Sequence, residues 1–190
     1  KGIGCDKNIE EACNYYKIAA DKGNTNGMVK FGRMLNEGLG ISVNHKQASK
    51  YFKKAADKGN VSGMINYGIM LKNGVGIDIN NKKACKYFEL AANKGNPDGF
   101  FHYGIMILKG LCVKVNYKKA HNYFKMAADK GNTDGFFFLG FMYLNGLGHS
   151  VNYKEALRYF KMAADKGNLK GMNYYGLMLN NGLGTSMDKK

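Results

Sequence analysis

The chain of 190 residues has no Trp, one Pro and four Cys. Four cysteines are too few for a disulfide-stapled scaffold of this length. No run of 18 or more apolar residues occurs, so no segment is built to insert through a membrane. Acidic residues are scarce, 14 against 29 basic ones, and the net charge is +15. Disorder is excluded, because 45% of the residues are hydrophobic. The length suits one or two ordinary domains, or one elongated array. What the chain has in excess is glycine, 26 residues. Scattered, these would mark turns or disorder; at fixed intervals they mark a repeat.

The intervals are fixed. Rows of 36 residues beginning at Ala12, Ala48, Ala84, Ala120 and Ala156 align without a gap. The second row carries Gly59, Gly63, Gly68, Gly74 and Gly76, and 24 of the 25 equivalent places hold Gly. Cys112 is the exception, and Gly2 and Gly4 continue the grid upstream. A period of this length means a stacked array of supersecondary units.

Each period reads as two helices. Ala48, Tyr51, Phe52, Ala55 and Ala56 fall at i, i+3, i+4, i+7 and i+8, one apolar face of an α-helix over about residues 44–58. Asn44 is its N-cap, with Gln47 placed to close a capping box. Asn8 with Glu11 and Asn152 with Glu155 repeat the box, whereas Asn80 and Asn116 are followed by Lys83 and Lys119. Gly59 suits the positive φ just past the helix end. This is the Tyr-Phe helix. A glycine helix follows over about 60–73, capped by Asn60, with Met64, Tyr67, Gly68 and Leu71 on its apolar side and Gly74 as its stop. In the third row Asn96 precedes Pro97, which favours the first helical position. Gly63 and Gly68 inside the helix cost about 0.5–1 kcal/mol each relative to Ala. Close approach of a neighbouring helix at the small Ala55 and Ala56 would offset that. Cys112 stands where a glycine turn is expected, which predicts an altered loop.

The run Gly-Asn-x-x-Gly-Met-x-x-Tyr-Gly-x-Met-Leu-x-x-Gly-x-Gly, followed by Asn-x-x-x-Ala-x-x-Tyr-Phe-x-x-Ala-Ala-x-x-Gly, resembles the Sel-one-like repeat family, a relative of the tetratricopeptide repeat. The departures are small: Gly63 where the family has Ala, Tyr51-Phe52 for Trp-Tyr, and Asn44 for Asp. The resemblance implies an all-α, right-handed α-α superhelix of about five helix-turn-helix repeats and about ten helices, as a single array over residues 1–190. Lys1-Gly2-Ile3-Gly4 matches a glycine-helix tail, and Met187–Lys190 matches the start of another Tyr-Phe helix. A fragment of a longer array, cut mid-repeat at both ends, is therefore expected. The resemblance also implies an adaptor or scaffold that binds proteins, within a large complex, rather than an enzyme.

In tetratricopeptide-like arrays the first helix of each repeat lines the concave face, which by the resemblance is the glycine helix. The groove positions are then Ile65, Ile69 and Lys72 in the second row, with Ser62 and Asn73 beside them. Phe101, Ile105 and Leu108 follow, then Phe137, Phe141 and Leu144. The end rows are polar, as at Asn26, Arg33, Lys170 and Asn173. These columns vary, whereas Tyr15, Tyr51, Tyr87, Tyr123 and Tyr159, and the methionines from Met34 to Met178, recur as packing demands. Two readings stay open. An apolar strip of this length is a groove for an amphipathic partner segment, anchored by Phe101, Phe137 and Phe141. Alternatively, curvature buries these side chains against one another, or a neighbouring domain covers them.

Of the basic residues, only Arg33 and Arg158 are Arg. Lysines gather on the Tyr-Phe helices off the apolar stripe, at Lys46, Lys50, Lys82, Lys83, Lys86, Lys118, Lys119 and Lys154. They form either a solvated convex face or an electrostatic platform for an acidic protein surface or a polyanion. Nucleic acid is the minor reading, because base-reading repeats need a polar residue at each reading position, and the groove offers Ile, Phe and Leu. No cofactor is implied. The four histidines occupy different columns, and no Cys-x-x-Cys or His-x-x-x-His pair exists to hold a metal. Reduced thiols, and with them a cytoplasmic location, are expected.

Overall fold

The computed structural model describes residues 8–185. Among them are ten α-helices and no strand: α1 (Ile9–Asp21), α2 (Thr25–Glu37), α3 (His45–Asp57), α4 (Val61–Asn73), α5 (Asn81–Asn93), α6 (Pro97–Leu108), α7 (Tyr117–Asp129), α8 (Thr133–Asn145), α9 (Tyr153–Asp165) and α10 (Leu169–Asn180). The all-α, helix-turn-helix solenoid class expected from the repeats is the class observed. Odd-numbered helices are the Tyr-Phe helices and even-numbered ones the glycine helices. The terminal matches at Lys1–Gly4 and Met187–Lys190 lie outside the described residues.

The regularity begins with one local device. An asparagine precedes every helix, from Asn8 to Asn168. Its Oδ1 accepts the backbone N–H three residues on, at 2.8–3.0 Å in all ten cases. The reciprocal half of the capping box does not form where Glu was expected to supply it. The Glu11 carboxylate accepts from the Asn8 side-chain amide instead, and Glu155 is taken by Arg158 at 2.7 Å. At the other end, Gly59 adopts φ +84° and Gly74 φ +71°. Among the described residues every positive φ belongs to a glycine, so Cys112 does not copy Gly76. The alteration is confined to that second left-handed turn: Gly110 still makes the first at φ +64°, and α6 stops at Leu108 just as α10, whose loop keeps both glycines, stops at Asn180.

The chain divides into two compact units, Lys1–Ala91 and Ala92–Lys190. In the first, α1 packs on α2, α2 on α3 and α3 on α4, and the glycine helices α2 and α4 also touch. In the second, α6 to α10 pack each on the next, and α8 touches α10. Gly63 makes the contact of α3 with α4 possible. A Cβ there would lie 2.7 Å from Ala55 Cβ and 2.8 Å from the Ala56 backbone nitrogen, the close approach anticipated for the small pair. Gly68 answers to something else. It is covered by the ring of Phe88, brought from the following Tyr-Phe helix, not by the alanines. The Phe column is the core: Phe52, Phe88, Phe124 and Phe160 are fully buried, along with Met106, Met142 and Met178.

The Tyr column reaches the core only at Tyr159, which is buried, despite its regularity in sequence. Tyr15 is 65% exposed, and Tyr51, Tyr87 and Tyr123 are half-buried. Their rings pack edge-on against the preceding glycine helix, Tyr51 on Phe31 at 4.9 Å and Tyr87 on Tyr67 at 5.0 Å. Their hydroxyls reach past it to a carboxylate. Tyr51 donates to Asp21 and Tyr87 to Asp57, each at 3.0 Å. The cap asparagines form a second ladder. Having capped its own helix, Asn132 donates through its side-chain amide to Asp98 at 2.8 Å, and Asn168 donates to Asp134 at 2.9 Å. Adjacent repeats of a unit are thus joined by polar links as well as by the apolar spine.

Candidate partner-binding surfaces

The glycine-helix columns carry the nine proposed groove residues, and the structure gives them unequal exposure. Ile65 in the first unit, and Ile105 and Phe137 in the second, are buried. Ile69, Lys72, Phe101, Leu108, Phe141 and Leu144 are half-buried, and none of the nine is fully exposed. In the second unit the reason is aromatic crowding. Phe138, which the column analysis did not single out, sits 5.6 Å from Phe101, 5.3 Å from Phe137 and 6.2 Å from Phe141, centroid to centroid. It also stacks on core Phe124 at 5.1 Å. The strip is therefore partly a wall of the core, with Phe101 and Phe141 showing an edge to solvent. In the first unit the same columns line a polar cleft of about 200 Å³ between α2 and α4, with Asn26, Val29, Arg33 and Ser62 on its sides.

The eight lysines assigned to the other face, Lys46, Lys50, Lys82, Lys83, Lys86, Lys118, Lys119 and Lys154, are all exposed. Lys119 lies 5.6 Å from the Tyr103 ring centroid. On this side of the first unit is a cavity of about 440 Å³ between α3, α4 and α5. Ala56, Met64 and Tyr67 form its floor, and Tyr87 and Leu90 one wall. Lys53, Asp57, Lys83 and Lys86 stand at the rim. Burial, then the hydrogen bond to Asp57, pushes the Tyr87 phenol up to about 12. Burial alone would raise the Asp57 carboxyl, but hydrogen bonds from Lys53 and Tyr87 outweigh it and hold the group below its ordinary value. The cavity was legible only in part. The Tyr-Asp spacing of 30 residues, repeated at Tyr51–Asp21 and Tyr87–Asp57, was the available signal.

Two histidines from different columns meet in the second unit. Leu139 and Tyr143 exchange the aromatic and aliphatic places that Tyr67 and Leu71 hold two repeats earlier. Tyr143 consequently stacks on His149 at 4.1 Å and meets His121 edge-on at 5.6 Å. The two imidazoles are 5.7 Å apart, and the Nε2 atom of each is buried with no hydrogen-bond partner among the described residues. Desolvation, and then the charges of His149 and Lys125, lower the His121 pKa from its ordinary 6.5, against a smaller opposing pull from Asn122. The neutral form is therefore the one the folded unit favours. A depressed folded value contributes stability that is fully present above the unfolded pKa and is lost as the pH falls through the folded value. Thermal midpoints measured from about pH 8 down to about pH 5 should fall for the native chain and fall less for His121→Asn. Equal slopes would remove His121 as the cause.

No group of three or more potential metal-ligating side chains occurs among the described residues. Cys13 is a buried thiol whose pKa is raised by desolvation, opposed by Lys17. The expectation of reduced thiols is not met at Cys85, nor at Cys112: each is in the disulfide form. With that correction the cytoplasmic expectation loses its chemical support. No helix among the described residues is long and apolar enough to cross a membrane.

Comparison with known proteins agrees with the repeat geometry. The Sel1 repeat model matches residues 1–24, 26–60, 61–96, 101–132, 137–168 and 169–189. A Sel1 repeat protein from Oxalobacter formigenes is similar in structure, with a TM-score of 0.91 and 29% identity over 95% of this chain and 72% of that one. The c5321 protective antigen of uropathogenic Escherichia coli, which displays an SLR fold, aligns with a TM-score of 0.78 and 25% identity over 94% of this chain and 39% of the antigen. Cysteine-rich protein B of Helicobacter pylori aligns with a TM-score of 0.54 and 25% identity over 70% of this chain and 95% of its own. No curated protein matches the sequence. Sel1 repeats generally serve as protein-interaction modules and are generally not catalytic. Ten asparagine-capped helices in a 36-residue period and six consecutive profile matches lead to one assignment: the chain belongs to the Sel1 repeat family.

Proposed function

We propose that this chain is a scaffold that holds an amphipathic stretch of a partner protein against its glycine helices. The observation that carries the reading is the half-open aromatic layer of the second unit. Phe101, Phe138 and Phe141 are anchored from below by buried Phe124 and Phe137 yet retain solvent-facing edges. Rigid, pre-packed aromatic residues make good anchors because little side-chain entropy is lost when a partner covers them. Ile69, Leu108 and Leu144 extend the surface, and Ile65, Ile105 and Phe137 back it.

Partner capture by cross-linking tests this. The double variant Phe101→Ser and Phe141→Ser should keep its helical circular dichroism and lose the cross-linked partner by about tenfold or more. Undiminished capture by a folded variant would remove the glycine-helix face from the reading. A second reading, binding to an acidic protein surface through the Tyr-Phe helices, is supported by the eight exposed lysines. It predicts capture that weakens steeply with salt.

A further inference from the structure

The cavity between α3, α4 and α5 has chemistry that a solvated lysine face does not need. We infer that it is a receptor for an acidic peptide segment of a partner, with one large apolar side chain seated in the cavity and flanking carboxylates on Lys83 and Lys86. The inference rests on the reading of this chain as a protein-binding module and names the partner's chemistry at a second surface.

Charge at the rim is unbalanced. Asp57 is the acidic group there, and its oxygens already accept from Lys53 and from the Tyr87 hydroxyl. Lys83 and Lys86, one helical turn apart on α5, have no ion-pair partner among the described residues. Beneath them the floor is Ala56, Met64 and the Tyr67 ring, and Leu90, 38% exposed, closes the side. A simple anion would leave that floor wet, and an apolar group alone would dehydrate two cations with no compensation. A bulky apolar residue between Asp or Glu residues satisfies both parts. A volume of about 440 Å³ falls inside the range in which pockets enclose small ligands, about 300–1,000 Å³.

The other repeats lack the combination. In the preceding one the places of Lys83, Lys86 and Leu90 are held by Gln47, Lys50 and Lys54, so a charged side chain replaces the apolar wall. In the last they are Glu155, Arg158 and Met162, and Glu155 neutralises Arg158 at 2.7 Å. Packing does not require this divergence, because the Phe, Ala and Met columns around it hardly change.

Fluorescence anisotropy with a labelled Gly-Asp-Glu-Phe-Glu-Asp-Gly peptide tests the inference on the full chain. The peptide should bind, and should weaken about tenfold or more both when its Phe is replaced by Ala and in the double variant Lys83→Glu and Lys86→Glu. Leu90→Lys, which copies the preceding repeat and so preserves folding, should weaken it as well. Lys118→Glu with Lys119→Glu, an equal change of charge elsewhere, should alter binding by less than about twofold. Equal losses from the two double variants would reduce the site to general electrostatics, and indifference to the peptide's Phe would make it a polyanion platform. No binding at all overturns the inference. Failure here with the Phe101 and Phe141 dependence intact removes the cavity and leaves the scaffold reading, and the reverse result separates them the other way.

Discussion

Gly68→Ala should lower the unfolding midpoint of the chain, while Gly176→Ala, the same change in the same column, should raise the stability of its helix. In an open helix the substitution stabilises by about 0.5–1 kcal/mol, because alanine gives up less backbone freedom on folding. Gly176 is such a case, since an added Cβ would meet nothing within 4 Å. At Gly68 the added carbon would lie 2.6 Å from Phe88 Cε1 and 3.0 Å from Cδ1 and Cζ. The Phe88 ring is 0% exposed and has no room to retreat. Overpacking of this kind typically costs about 1–3 kcal/mol, which exceeds the helix-propensity gain. The sign of the effect therefore reverses between two glycines that sequence alone cannot distinguish. Urea unfolding followed at 222 nm reads the loss at Gly68. Hydrogen exchange of α10 amides, slowed by about two- to fivefold, reads the gain at Gly176. If both changes stabilise, the ring-over-glycine contact is not the constraint proposed.

That pair shows where the repeat pattern was informative and where it fell short. Helix boundaries were legible because their causes are local. An asparagine Oδ1 reaches the amide three residues on, and a glycine takes the left-handed turn, within a few residues of sequence. Cys112 fell to the same logic. What a column faces is a different matter, set by the neighbouring repeat. The tyrosines recur as faithfully as the phenylalanines beside them, yet Tyr15 is 65% exposed and Phe52 is buried. Invariance was satisfied by a hydroxyl bridging to Asp21 or Asp57 as well as by burial. Exposure within the groove columns is likewise set by neighbours that the columns do not show. Phe137 was read from its column as an exposed anchor, but Phe138 beside it and Tyr174 at 5.3 Å enclose it. His121 and His149 were separated by column and joined by the turn after α8, which column counting does not represent.

Phe124→Ala should destabilise the second unit by about 3–5 kcal/mol, the usual cost of removing a buried Phe that the surroundings cannot replace. Phe124 is 0% exposed. It stacks on Phe138 at 5.1 Å, contacts Phe101 at 6.1 Å, and covers Gly104, whose added Cβ would lie 2.8 Å from its Cε1. Ala127 and Ala128 on its own helix are too small to fill the space. Domains are stable by only about 5–15 kcal/mol in total, so the loss approaches unfolding of the unit. Tyr16 holds the same column in α1 and is 36% exposed, so Tyr16→Ala should cost less than about 1 kcal/mol. The contact itself is isolated by a double-mutant cycle with Gly104→Ala. In the native background that change drives a carbon into the ring and destabilises. With Ala at position 124 the ring is gone, the new methyl enters vacated space, and the same change becomes neutral or stabilising through helix propensity. The two substitutions should therefore be non-additive by about 1–3 kcal/mol, within the range measured for directly touching residues. Additive losses would mean that the glycine is retained for some reason other than the ring above it.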